Sequence, residues 1–116
     1  MTRTVTIDGR EVTFRASASI PRLYRIKFHR DIMQDMVTIA KAVKDTKDGK
    51  TAIPLDCLTL FENVAYLMAK HADPSVPSTV DEWLEGFNSF SIYWVFPVIS
   101  EMWQDNIRTM SVPAKK

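Results

Sequence analysis

Apolar side chains recur at helical spacing through residues 80–107, where seven of the twelve aromatic residues lie. Four of these aromatics are separated by four, three and four positions, which places them along one side of a helix: Trp83, Phe87, Phe90 and Trp94. A second apolar stripe, rotated from the first, contains Ile92, Val95, Ile99, Met102 and Trp103. Two stripes indicate a segment that is buried on both sides, or one whose second side meets a partner.

Alternating apolar and polar positions predict a β-hairpin over residues 4–15. Asp8-Gly9 is a strong signal for a type I′ turn, which needs positive φ at both central residues. A two-residue loop pairs Ile7 with Arg10 and Val5 with Val12. We expect the apolar face of this hairpin to pack on helices, or its free edges to pair with another chain.

Helical periodicity dominates the middle of the chain. Residues 20–43 predict a first helix, whose length leaves room for a break. Its main apolar stripe contains Leu23, Ile26, Met33, Val37 and Ala40, and a second set widens it: Phe28, Ile32, Ile39 and Val43. A second, central helix is expected between Pro54 and Asp73-Pro74, because proline suits the first turn and blocks continuation.

The last third predicts two more helices. Thr79 and Glu82 fit a capping box for a third helix over residues 80–87. A fourth helix is expected over residues 90–108, with Pro97 inside it. A buried strand over residues 92–96 is the alternative. The fold class is therefore mainly α: a single domain over 1–116, with a hairpin at 1–16, a bundle of three to four helices at 20–108 and a flexible tail at 109–116.

Composition and charge exclude several classes of protein. The hydrophobic fraction of 46% and the charged fraction of 25% are those of a globular domain. No apolar run is long enough to span a membrane, no signal peptide is visible, and Cys57 has no partner for a disulfide. We expect a soluble intracellular protein. The net charge is +1, and residues 22–30 are interpreted as a solvated basic face rather than a nucleic-acid site.

The chain shows no motif for catalysis. His29, His71 and Cys57 have no metal-binding or nucleophile spacing, and we interpret them as two surface helical histidines and a small buried residue. The three glycines form no phosphate-binding loop. No catalytic residue, metal or cofactor is expected, although an enzyme subunit remains an open class.

Several short segments resemble the small tail assembly chaperones of long-tailed phages and prophages of Gram-positive bacteria. The resemblance covers nearly the whole chain and lies in Ile7-Asp8-Gly9-Arg10, Ile20-Pro21-Arg22-Leu23-Tyr24-Arg25, Trp83-Leu84-Glu85-Gly86-Phe87, Ile92-Tyr93 and Trp103-Gln104-Asp105-Asn106. It implies a non-enzymatic protein of the host cytoplasm that coats the tape measure protein, promotes polymerisation of tail tube protein and is absent from the virion. It also implies a longer frameshifted product, for which Lys115-Lys116 is a candidate site.

A chaperone for a long apolar helix needs an apolar groove with many modest contacts. We expect partner binding by Trp83, Phe87, Tyr93, Trp94 and Trp103. The adaptable neighbours of these rings would be Met33, Met36, Met68 and Met102. The hairpin edge offers a route to a homo-oligomer by strand addition. The alternative is a helical adaptor or regulatory protein that binds one folded partner.

Overall fold

The N-terminal hairpin forms with the predicted turn and register. In the computed structural model, which describes residues 1–111, β1 (Thr2–Ile7) and β2 (Arg10–Arg15) pair antiparallel. Val5 lies opposite Val12 and Ile7 lies opposite Arg10. Asp8 and Gly9 have φ values of 54° and 77°, as a type I′ turn requires. Ile7, Val12 and Phe14 on the apolar face are buried in the core with residues of the helices, which is the first of the two outcomes expected for this face.

The prediction of a single helix over residues 20–43 is wrong, because the helix is interrupted near the middle of this segment. α1 covers Ile20–Phe28 and α2 covers Ile32–Asp45. His29 ends α1 in the left-handed region, at φ 58°. The carboxylate of Asp31 then accepts a hydrogen bond from the Met33 amide at 2.9 Å, as an N-cap does. The described residues therefore form five helices rather than three or four.

α3 (Leu55–Ala72) is the central helix, as predicted. It begins directly after Pro54 and ends before Asp73-Pro74. It contacts β2 and all four other helices. Its buried side chains are Cys57, Phe61, Val64, Ala65, Tyr66, Leu67, Met68 and Ala69. Apolar residues on several faces of α3 allow it to pack against neighbours on more than one side.

The aromatic segment folds as two helices separated by six residues. α4 covers Val80–Glu85, and the Thr79 hydroxyl accepts a hydrogen bond from the Glu82 amide at 3.2 Å, as the capping box predicts. α5 covers Ile92–Ser111 and includes Pro97, so the alternative of a strand over residues 92–96 is wrong. α5 extends into the expected tail, and residues 112–116 of that tail lie outside the described part of the chain.

No helix in residues 1–111 combines the length and the apolar character that crossing a membrane requires.

Candidate partner-binding site

The five aromatic residues expected to bind a partner are divided between the core and the surface. Trp83, Phe87 and Trp103 are only 4%, 9% and 3% exposed. Tyr93 and Trp94 are 44% and 67% exposed. The break between α4 and α5 interrupts the stripe that a continuous helix would have presented. The five rings therefore do not share one surface of the folded chain.

Trp83 and Phe87 belong to an aromatic cluster beneath the hairpin turn. Their ring centroids lie 5.3 Å apart, and Phe90 packs 5.1 Å from Trp83. The Arg10 guanidinium lies 4.4 Å from the centroid of the Phe87 ring and donates a hydrogen bond to the Gly86 carbonyl at 3.0 Å. Edge-to-face rings under a guanidinium form a stable packing arrangement. This cluster holds the α4–α5 connection against the hairpin.

Tyr93 and Trp94 expose their rings while their polar atoms bond within the chain. The Tyr93 hydroxyl donates to the Thr46 carbonyl at 3.2 Å, which ties α5 to the end of α2. Trp94 Nε1 donates to the Thr6 carbonyl of β1 at 3.2 Å. The indole of Trp94 therefore lies beside the outer edge of β1, where strand addition would otherwise take place.

Leu23 packs on the core as predicted, but the other four residues of the apolar stripe expected to bury the first helix face solvent. Ile26, Met33 and Val37 are 58%, 49% and 64% exposed, and Ala40 is also exposed. The core side of α2 is formed by three residues of the second predicted set, Ile32, Ile39 and Val43, together with Met36, which belonged to neither set. Both sets obey helical spacing, so periodicity alone could not decide which one packs on α3. The structure thus leaves an apolar stripe on the surface of α2.

Three adjoining cavities of about 500, 350 and 450 Å³ lie between α2 and α5, and residues of this stripe line the first two. The first two share Ala40, and the second and third share Val43 and Pro97. They therefore form one row of neighbouring hollows, which we treat as a single groove. Its walls come from residues 31–49 on one side and 93–107 on the other, and we call it the α2–α5 groove.

The α2–α5 groove has a buried apolar floor and an exposed apolar rim. Met36 and Trp103 form the floor at the Met33 end. Met33 and Val37 form the rim there, and Tyr93 lies at the opposite end. Two of the five predicted partner-binding residues, Trp103 and Tyr93, therefore line the groove, whereas sequence patterning assigned Val37 to the core.

Charged side chains of both signs line the groove. Lys44 lines its middle cavity together with Glu101, and Lys47 lines both the middle cavity and the end nearer Tyr93. Asp31 lines the end at Met33, and a fourth cavity of about 510 Å³ shares Asp31 and Met33 with the groove and is also lined by Arg25 and His29. The lysines therefore lie toward the Tyr93 end, whereas the Met33 end is apolar with one carboxylate.

A buried polar network fixes the α1–α2 corner at one end of the groove. The Asp35 carboxylate accepts hydrogen bonds at 2.8 Å from the Tyr24 hydroxyl and from Nε and Nη2 of Arg30. Burial raises the pKa of Asp35, but the hydrogen bonds from Arg30 and Tyr24 more than offset it, so that this pKa lies below its usual value. Burial and the Asp35 carboxylate raise the pKa of Tyr24. Asp35 is therefore a charged acceptor inside the fold.

The two histidines and the cysteine lie in separate parts of the fold. His29 is exposed at the end of α1, and His71 Nε2 lies 2.8 Å from the Ser17 hydroxyl. Cys57 is buried in the first turn of α3. Within the described residues, no group of three or more His, Cys, Asp or Glu side chains is arranged to hold a metal ion.

The exposed side chains and cavities described above are the candidate surfaces for binding a partner. No protein-family model, no curated protein and no solved structure matches the chain. The α2–α5 groove brings the exposed side chains of Met33 and Val37 together with the buried Met36 and Trp103. An apolar groove that also carries a few polar groups is typical of peptide recognition.

Proposed function

We propose that this chain is a non-catalytic tail assembly chaperone of a long-tailed phage or prophage. It would bind the tape measure protein in the host cytoplasm, promote polymerisation of the tail tube protein around it, and be absent from the mature virion. The observation that best supports this function is the open α2–α5 groove, with Met33 and Val37 exposed on its rim. The sequence resemblance supplies the identity of the partners.

The chemistry of the groove suits a protein that holds many similar apolar helices in turn. Fully burying a large exposed apolar side chain contributes about 1.5–3 kcal/mol, so the half-exposed rim residues Met33 and Val37 provide modest affinity for each helix. Met33 and Met36 have flexible, polarisable side chains that adapt to partners of different shape. A long tape measure protein needs many copies of such a chaperone, each of them released as the tube grows.

Co-expression with the tape measure protein encoded by the same phage or prophage tests the proposal. The wild-type chain should keep the tape measure protein in the soluble fraction, whereas Val37→Asp, which places a charge on the groove rim, should leave most of it aggregated. Leu55→Asp is the matched control, because Leu55 is 78% exposed and lies outside the groove. Equal rescue by both variants, or no rescue by the wild type, would contradict the proposal.

The stoichiometry of the complex separates this function from a helical adaptor. Light scattering on the purified complex should give many copies of the chain for each tape measure protein. One copy bound to one compact, folded partner would favour the adaptor instead. A very long, helix-rich reading frame downstream of the gene would add independent support.

A further inference from the structure

We propose that the outer edge of β1 pairs antiparallel with the β1 edge of a second copy of this chain, about a two-fold axis at Thr4. The two hairpins would then form one continuous sheet. The inference goes beyond the proposed function, because it concerns a different surface and a different partner. Its basis is a row of outward-facing main-chain groups on a strand whose side chains complement those of an identical strand.

Alternate residues of β1 direct their main-chain groups away from β2. Met1 and Ala16 exchange two main-chain hydrogen bonds, at 2.9 and 3.1 Å, so the odd-numbered residues of β1 bond to β2. The Thr6 carbonyl accepts instead from Trp94 Nε1, so the even-numbered residues face outward. The amides and carbonyls of three threonines therefore form the outer edge of β1: Thr2, Thr4 and Thr6.

This edge is open over most of its length. Within residues 1–111, no hydrogen bond reaches the outward groups of Thr2 or Thr4. Trp94 occupies only the Thr6 carbonyl, through one hydrogen bond at 3.2 Å, and its side chain is 67% exposed. A main-chain amide of an added strand can replace that single bond. An open edge of this kind is a template for strand addition.

The opposite edge of the hairpin is less accessible. The outward-facing residues of β2 include Glu11 and Thr13. Both line a cavity of about 470 Å³ whose other wall comes from residues 72–77. That loop therefore lies beside the β2 edge and restricts access to it, whereas the three threonines of the β1 edge are all exposed.

β1 also carries no feature that blocks a free edge. Proteins commonly protect such edges with proline or with charged side chains. β1 contains no proline, and its one charged side chain, Arg3, lies on the same face as the buried Ile7 and pairs with Glu101 of α5 at 2.9 Å. The strand is therefore suited to pairing along its outer edge.

The side chains of β1 select a second copy and one register. In an antiparallel pair centred on Thr4, that residue lies opposite its own counterpart and Thr2 lies opposite Thr6, so only uncharged β-branched side chains meet on this face. On the other face Arg3 lies opposite Val5, so no like charges meet. This register forms about six main-chain hydrogen bonds, including a reciprocal pair between the copies of Thr4. A pair centred on Arg3 would instead oppose two like charges.

Sedimentation equilibrium of the full chain tests the pairing. The wild type should form a dimer that dissociates on dilution. Thr4→Pro removes an outward-pointing N–H, which an edge strand tolerates. It should weaken the dimer by about tenfold or more, because each copy loses one main-chain donor.

Thr13→Pro is the matched control. Thr13 lies opposite Thr4 on β2, so this variant removes the corresponding N–H from the other edge. Both variants lose the contact between the Thr4 and Thr13 hydroxyls, which are 2.9 Å apart. Thr13→Pro should therefore cost the hairpin a similar amount of stability but leave the dimer unchanged.

A charge swap at Thr4 tests the two-fold register. Position 4 faces itself in that register, so Thr4→Lys and Thr4→Glu should each dimerise several-fold more weakly than the wild type. An equimolar mixture of the two variants should recover a mixed dimer. Thr6→Lys is the control, because Thr6 faces Thr2 and its new charge meets no like charge. A urea unfolding curve checks that each variant folds.

The inference is wrong if the wild type stays monomeric at about 1 mM. It is also wrong if Thr4→Pro and Thr13→Pro weaken the dimer equally, or if the mixed charge variants fail to pair. A dimer that Val37→Asp disrupts and Thr4→Pro does not would assign self-association to the α2–α5 groove and would overturn the inference too. None of these results bears on rescue of the tape measure protein, because the β1 threonines line no cavity of that groove.

Discussion

Replacing Asp35 by Asn should destabilise the chain by about 2 kcal/mol. Asp35 lies on α2 and is 1% exposed, and its carboxylate holds both Tyr24 and Arg30. Asn has nearly the same size, so the substitution leaves no cavity. It removes the charge and replaces one acceptor oxygen by an amide nitrogen that donates.

The magnitude follows from the three hydrogen bonds of the carboxylate. The Asn oxygen can still accept from Tyr24, but the bond becomes neutral and loses roughly half its strength, about 1 kcal/mol. On the Arg30 side, the amide NH₂ of Asn and the guanidinium are both hydrogen-bond donors, so they cannot bond to each other. The Arg30 side chain is 51% exposed and water can replace its partner, so we count about 1 kcal/mol for that pair.

Urea unfolding followed by circular dichroism measures this loss, and Asp31→Asn is the matched control. Asp31 is an exposed N-cap, and Asn caps a helix as well as Asp does, so the control should change stability by less than about 0.5 kcal/mol. The comparison separates the role of a buried charged acceptor from the general effect of removing a carboxylate near the start of α2.

The pH dependence provides a second check on the same residue. The pKa of Asp35 is lower in the folded chain than its usual value of about 3.9. Its stabilising contribution is therefore present above the usual value and is lost as pH falls through the folded-state pKa. The gap between wild type and Asp35→Asn should shrink in strong acid. A gap no larger than that of Asp31→Asn, or one independent of pH, would refute the role assigned to Asp35.

Two further substitutions test other parts of the fold. His29→Gly should raise the free energy of unfolding by about 0.5 kcal/mol, because φ at this position is 58° and glycine adopts it without strain; a lower urea midpoint would contradict this. Burial and the nearby Arg15 lower the pKa of His71, so its neutral form is favoured in the fold and stability should fall as pH drops below about 6.5. His71→Gln should weaken that pH dependence, and an unchanged slope would exclude His71 as its source.

Local sequence signals were sufficient to predict the hairpin and the bounds of the central helix. Asp8-Gly9 fixes a turn whose geometry determines the register, so that Val5 had to face Val12. Pro54 and Pro74 limit α3 because proline suits the start of a helix and prevents its continuation. These signals act over a few residues and do not depend on tertiary packing.

The break after α1 was harder to predict, because apolar spacing continues through it. Asp31 acts as an N-cap only if the backbone leaves the helix at His29, and the buried charge of Asp35 stabilises that corner. The partners of Asp35 are eleven and five residues away in sequence, and their contact depends on the corner itself. Hydrophobic periodicity carries no information on such a network.

The structure does not bring together the five residues that were predicted to bind a partner. The surplus of apolar side chains indicated a partner surface, but the rings of Trp83 and Phe87 are buried in the core. α2 carries two apolar stripes, and only packing against α3 decides that Met33 and Val37 remain exposed. The choice between two equivalent faces is a tertiary property, which one sequence does not encode locally.

The three tryptophans lie in three separate environments, which makes fluorescence selective. Trp83 lies in the aromatic cluster and would report on unfolding. Trp103 lies on the floor of the α2–α5 groove and would report on a bound helix, while Trp94 lies beside the edge of β1 and would report on strand pairing. Chains that keep one tryptophan at a time would therefore distinguish folding, ligand capture and self-association by intrinsic emission, without an attached dye.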